Sequence, residues 1–274
     1  MLAAFFLTGI VLAVFLAAYG IVSFWWALPI AVGTAIGLTV AELGVTCLMS
    51  FLIRPAGEGT HIPGFLRFWV SITTGLILDC CNIRVRVSGR EKLPRDRRFV
   101  LVSNHLSAFD PMVCLSRFHA GPLSFISKPE NFRIPFAGPF LRACRFLKID
   151  RENPRNAIST INEAARVVQS GEASIGIYPE GHRSPDGRLL PIKDGAFHIA
   201  KKAQAPIVVM TLTGMEKASK NAPLRRTRVK AEIHTVISEE TVAQLRTQEL
   251  AQRVREIMVA NLPEAYQPKN RIAQ

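Results

Sequence analysis

The first stretch of the chain lacks what a water-exposed surface needs. Between Met1 and Ile53 no Lys or Arg occurs, and Glu42 is the sole charged side chain. Residues 54–274 therefore carry all 34 basic and 20 of the 21 acidic groups, a net +14. Cysteine is sparse too. The five present (Cys47, Cys80, Cys81, Cys114, Cys144) are odd in number and never spaced as CxxC. That argues against a disulfide framework or a zinc knuckle and for reduced thiols. There is no HExxH, so a metal-dependent hydrolase built from His105, Asp110, His182 and His198 lacks ligand spacing. Nor is the chain short of apolar side chains: they make up 49% of it, against 20% charged. That composition excludes a disordered protein. The basic excess and Arg225-Arg226-Thr227-Arg228 could suit a nucleic-acid binder. No groove-reading motif accompanies them, and no nucleic-acid partner is expected.

What the arm does contain is two apolar stretches, residues 2–24 and 27–53. Each reads as long enough for the roughly 20 helical residues that cross a bilayer core. Trp25, Trp26 and Pro29 mark the turn between them, and indoles suit the membrane–water interface. No basic segment precedes the first stretch, so a cleaved signal peptide fits poorly. Residues 1–53 are expected to form a membrane hairpin, spanning or embedded in one leaflet, and residues 54–274 a separate body. Arg54 opens the basic region, which by the positive-inside rule puts the body on the cytoplasmic face of the inner membrane. The apolar stretch 64–78 is shorter and contains Arg67; it reads as an interfacial or tunnel-lining helix.

From about residue 82 the pattern alternates. Strand-like runs at 82–89, 98–104, 123–128, 145–150, 173–181, 205–214 and 228–238 are separated by helical segments. Asp110-Pro111 and Asn153-Pro154 read as helix starts, Gly171 as a stop, and 239–260 as one long amphipathic helix. Alternation of this kind predicts an α/β fold: a mixed, largely parallel sheet flanked by helices.

Three segments at predicted strand ends carry chemistry. Asn104-His105-Leu106-Ser107-Ala108-Phe109-Asp110 follows a buried strand, where open α/β sheets bind ligands. In a turn entering a helix, His105 and Asp110 can meet: the carboxylate fixes one ring nitrogen and frees the other to take a proton from a hydroxyl. Asp110 can also serve simply as a helix cap. Tyr178-Pro179-Glu180-Gly181-His182-Arg183-Ser184 follows another strand. Gly181 opens backbone amides, Arg183 offers a planar fork suited to phosphate, and Glu180 could orient it. An ordinary surface turn is the plainer reading. Lys128 and Arg151 stand at the ends of two further predicted strands, on the same rim as His105.

Together these blocks resemble the 1-acyl-glycerol-3-phosphate acyltransferases, within the wider glycerolipid acyltransferase superfamily. NHLSAFD resembles the first motif, KPENFRIPFAGPFLRACRFLKIDR the second block, PEGHRS the third and APIVVMTLTG the fourth, in the family's order over residues 82–215. His182 stands where the family most often has threonine, and Arg145 or Cys144 where a glycine is common. The resemblance implies a membrane-bound acyltransferase of phospholipid biosynthesis. It moves a fatty acyl group from acyl-CoA or acyl-carrier protein to the hydroxyl of 1-acyl-glycerol-3-phosphate, giving phosphatidic acid. His105 and Asp110 would be catalytic, and Lys128, Arg151, Glu180, Gly181 and Arg183 would bind substrate. No metal or cofactor is expected. The partners are a lysophospholipid acceptor, the acyl thioester and an anionic membrane surface. Another acceptor on the same fold, such as lyso-ornithine lipid, another lysophospholipid or glycerol 3-phosphate, is the alternative.

Overall fold

Strands covered on both faces read as unbroken apolar runs, whereas a half-covered strand alternates. Both signatures appear in the computed structural model, which describes residues 1–57, 61–118, 121–149 and 154–268. Its strands are β1 (Ile83–Ser88), β2 (Val100–Val102), β3 (Leu123–Ser127), β4 (Leu147–Lys148), β5 (Ser174–Ile177), β6 (Ile207–Thr213) and β7 (Thr227–Ile237). They form one sheet in the order β1-β7-β6-β2-β5-β3-β4. Every neighbouring pair is parallel except β6 with β7. Central β2, β5 and β6 are buried throughout. Edge strand β1 alternates, with Arg84, Arg86 and Ser88 in solvent. Each of the seven expected runs contains a strand.

The helices are α1 (Leu2–Ala18), α2 (Ala27–Leu52), α3 (Gly64–Cys80), α4 (Asp110–Arg117), α5 (Ala137–Ala143), α6 (Pro154–Gln169), α7 (His198–Ala203), α8 (Ala218–Asn221), α9 (Glu239–Gln244) and α10 (Thr247–Asn261). The expected long helix over 239–260 is thus two. Ser238 caps the first, accepting from the Thr241 amide. Helix α10 restarts where the Arg246 amide donates to Glu249 Oε2 at 2.6 Å. Between them, Lys201 Nζ donates to the carbonyls of Ala243 and Leu245 that end α9. Arg151 and Asn153 lie outside the described residues.

In the arm, α1 has 17 residues. At the α-helical rise that is about 25 Å, short of a bilayer core of about 30 Å. Of the two stretches expected to be long enough to cross, α2 alone has the length as a helix, with 26 residues. Gly20, at φ +71°, follows the end of the shorter helix. The two helices touch through small residues. Gly9 and Ala13 are the buried positions of α1, against Ala31 and Ala35 of α2. A Cβ on Gly9 would lie 2.6 Å from Ala31 Cα. Large apolar side chains, among them Val11, Phe15, Ile36, Val40 and Leu48, point outward instead. Glu42 is buried against α3. Its Oε1 accepts from Thr73 Oγ1 at 2.5 Å and Thr46 Oγ1 at 3.2 Å, and Trp69 Nε1 donates to Thr46 Oγ1 at 2.9 Å. Glu42 is therefore one polar attachment of the arm to the body, and the Met1 ammonium, 2.8 Å from Asp79 Oδ2 of α3, is another.

Arg145, one of the two positions at which the resemblance leads one to expect glycine, sits at φ +57°. That left-handed conformation is disfavoured by about 1–2 kcal/mol for a residue with a Cβ. The gain lies in its side chain. Nε donates to buried Glu172 at 2.8 Å and Nη2 to Glu163 at 2.8 Å. Breaking a buried pair from one side costs about 3–5 kcal/mol. Arg145→Gly should therefore relieve the backbone yet destabilise the fold by roughly 1–4 kcal/mol net. Equilibrium denaturation in detergent measures this; a more stable variant would show that the backbone strain dominates.

Candidate functional site

The sheet gathers three chain segments at the carboxyl ends of β2, β5 and β6. Asn104, two residues beyond the buried end of β2, is held on both sides of its amide. Its Nδ2 donates to Leu212 O at 2.9 Å and its Oδ1 accepts from Leu212 N at 2.7 Å, tying the loop to β6. The next residue, His105, is held from the other side: its amide donates to Glu180 Oε1 at 2.7 Å, and its carbonyl accepts from Ser184 N at 2.8 Å. The turn after β5 is thereby fixed against the turn after β2.

Asp110 stands at the centre. Its Oδ2 accepts from His105 Nδ1 at 2.7 Å, from Leu106 N at 2.7 Å and from Ser107 N at 2.9 Å. These amides precede α4, so the carboxylate faces back into the loop and does not cap the helix it opens, contrary to the capping reading. The residue is fully buried. Burial pushes the carboxyl up from the usual carboxylate range, while the imidazole and the two amides pull it down. Because Oδ2 is an acceptor, Nδ1 carries the ring proton and the Nε2 lone pair is left open. Nε2 has no partner among the described residues, and the His105 side chain is 16% exposed. This is the arrangement of a general base with its orienting carboxylate.

Glu180 differs from its expected place as a contact to substrate or to Arg183. It is 3% exposed, and its two oxygens accept from the backbone amides of His105 and Leu190, at 2.7 and 2.9 Å. It positions the backbone of His105. Burial, opposed by these amides and reinforced by Asp110, raises its carboxyl to about 7.

Gly181 adopts φ +78°, a conformation that favours glycine. His182 and Arg183 follow it into solvent. Beside the glycine lies a cation that the sequence reading missed. Lys193 Nζ would be 3.1 Å from a Cβ on Gly181, and the Lys193 amide donates to Pro179 O at 3.0 Å. The separation of Lys193 from Gly181 in sequence concealed it; only the return of the chain at Leu190 brings the two together. Lys128 lies just past the end of β3, followed by Pro129 at the start of a short 3₁₀ turn. Arg151 falls outside the described residues. Among the described residues, no cluster of three His, Cys, Asp or Glu could hold a metal ion.

The chain matches a family model described as Acyltransferase over residues 84–213, which takes in all of these segments. It is 31% identical over 199 residues to the 1-acyl-sn-glycerol-3-phosphate acyltransferase of Limnanthes alba, covering 72% of this chain and 70% of the relative. The chain belongs to the 1-acyl-sn-glycerol-3-phosphate acyltransferase family. The Limnanthes douglasii member is 34% identical over 56% of this chain and 54% of its own length. Human 1-acyl-sn-glycerol-3-phosphate acyltransferase alpha is 33% identical over 49% and 47%. The chain thus spans about half the length of several curated relatives that it matches. A solved structure, the 1-acyl-sn-glycerophosphate acyltransferase of Thermotoga maritima, covers 94% of each chain with a TM-score of 0.57 at 24% identity, a shared fold.

The raised Glu180 carboxyl has a consequence for stability. An acid lifted from 4.5 to about 7 on folding favours the fold fully below the lower value, and that contribution is lost as pH rises through the higher one. The loss is on the order of 3 kcal/mol. Glu180→Gln should flatten that part of the stability–pH profile. A profile unchanged between the two proteins would place the titration elsewhere.

Proposed function

We propose that the chain moves a fatty acyl group from an acyl thioester to the free hydroxyl of 1-acyl-glycerol-3-phosphate, giving phosphatidic acid. The observation that carries this reading is the 2.7 Å His105 Nδ1–Asp110 Oδ2 bond, which leaves Nε2 open at the mouth of the site. Family membership supplies the substrate class. His105 Nε2 takes the proton of the acceptor hydroxyl as the oxygen attacks the thioester carbonyl. The tetrahedral intermediate then expels the thiolate, which recovers that proton from the imidazolium. Asp110 holds the tautomer and stabilises the imidazolium, as the carboxylate of a Ser-His-Asp triad does. The acceptor alcohol takes the place of the serine, so no acyl-enzyme forms and neither metal nor cofactor is used.

Arg183, on the turn tied to His105 through Ser184, binds the acceptor phosphate together with Lys128 and Lys193, and Arg151 joins them. The amides about Gly181 add to this cradle. Acyl-CoA and acyl-carrier protein are both anionic, and the net +14 of residues 54–274 favours either donor. Residues 1–53 attach the catalytic body, residues 54–274, to the membrane. What supports this is the inverted packing of the arm, small residues inside and large apolar ones outside, as in lipid. Arg54 and the basic residues beyond it favour the cytoplasmic face and an anionic leaflet. His182, where the family usually has threonine, is the feature that favours a second reading, a different acceptor such as a lyso-aminolipid or another lysophospholipid.

Two variants test this. His105→Ala should lower turnover of 1-acyl-glycerol-3-phosphate by about 10²–10⁴-fold with the fold intact, measured as phosphatidic acid formed by the purified full chain. Near-wild-type turnover would remove His105 from the chemistry. Arg183→Lys replaces a bidentate fork by a point charge and should raise KM for the phosphorylated lysolipid roughly 5- to 30-fold, with little change in KM for the thioester. A rise in the donor KM instead would reverse the assignment, and indifference of both would point to the second reading.

A further inference from the structure

The His105 ring is held by more than its hydrogen bond. It lies against Tyr178, with ring centroids 4.1 Å apart and planes 13° from parallel. Tyr178 in turn lies 5.8 Å from Phe125 at 12°. Phe146 closes the column behind Phe125 at 5.8 Å and 42°. Three nearly parallel rings from three chain segments thus run from the β3–β5 pair to the base.

The sequence leaves room for this column at one position. Gly176 pairs with Phe125 across the two strands, and a Cβ there would sit 2.2 Å from Phe125 Cε1. The missing side chain lets Phe125 lean over β5 behind Tyr178. A single Nδ1–Oδ2 bond fixes one edge of the imidazole and leaves the ring free to tilt about it. A flat surface at stacking distance removes that freedom.

The chemistry of Tyr178 identifies which part of it can act. Its hydroxyl is buried and has no hydrogen-bond partner among the described residues, so it is neither donor nor acceptor to His105 or Asp110. Burial, with Cys114 and Asp110 nearby, keeps the phenol far above its ordinary value and hence neutral. What faces the imidazole is the π-face, which attracts a cation more than a neutral ring.

We propose that Tyr178 is a positioning residue for the proton transfer: its ring face, braced by Phe125, aims His105 Nε2 outward and stabilises the imidazolium while it carries the proton. This rests on the reading of His105 as the base. The other titratable groups around the ring are Asp110 and Cys114 on α4 and Glu180 beyond β5, and each is retained in the variants below.

The test compares Tyr178→Leu, Tyr178→Phe and Phe125→Leu in the full chain. Tyr178→Leu keeps apolar cover but removes the π-face. It should lower kcat roughly 3- to 30-fold, leave both KM values within about twofold, and move the acid limb of the kcat/KM profile to lower pH. Tyr178→Phe, which keeps the face and loses the hydroxyl, should recover most of that turnover. Phe125→Leu should act in the same direction as Tyr178→Leu but more weakly, and it serves where Tyr178→Leu does not fold. An NMR titration of the His105 imidazole in wild type and variants reads the same shift without any substrate. Wild-type kcat and titration in Tyr178→Leu would overturn the proposal, and so would a Tyr178→Phe variant as impaired as Tyr178→Leu. A protein without acyl transfer whose His105 titration still shifts in Tyr178→Leu would retain the stack and lose only the proposed reaction.

Discussion

One carboxylate oxygen organises the site. Asp110 Oδ2 accepts from the His105 ring and from the amides of Leu106 and Ser107, so a single buried anion fixes both the imidazole and the loop that carries it. An anion in such a place is costly unless its hydrogen bonds are supplied, and here the chain that precedes α4 supplies those of Oδ2, while Oδ1 is buried without a partner among the described residues. The rest follows from holding that loop still. Asn104 clamps it to β6, and Glu180 and Ser184 clamp it to the turn after β5. The middle of a buried, mostly parallel sheet is the place where such clamps can come from both sides.

Much of this was legible from residue order. Seven strand-like runs between helical segments marked the strands, and burial on two faces or one is what makes the central runs unbroken and β1 alternating. The His105–Asp110 pair was legible because the spacing alone permits the contact. The direction in which the Asp110 carboxylate faces was not, since Asp-Pro before a helix signals a cap just as strongly. The inward direction of Glu180 was not legible for a related reason. A carboxylate beside an arginine in sequence suggests an ion pair, but the backbone turns it inward to two amides. Lys193 and the ring column depend on contacts between segments far apart in sequence, which no local pattern records. Arg145 shows how a position that favours glycine tolerates another residue when the new side chain finds buried partners.

The arm and the body follow opposite packing rules. In the body, large apolar side chains fill the interior. In the arm they face out, and Gly9, Ala13, Ala31 and Ala35 make the contact. Close approach of small residues is how helices associate where a hydrophobic driving force is missing, which is what supports the proposed place of the arm in lipid. Glu42, set against Thr46 of its own helix and Thr73 of α3, with Trp69 behind, joins the two regimes.

The central claim is that the acceptor hydroxyl, activated at His105 Nε2, attacks the thioester directly. Rapid mixing of the purified full chain with an acyl thioester, following released thiol, tests it most directly. The account predicts no burst of thiol without acceptor, and thiol released in step with phosphatidic acid once 1-acyl-glycerol-3-phosphate is added. A burst equal to the enzyme concentration in the absence of acceptor, or no thiol release in its presence, would contradict it.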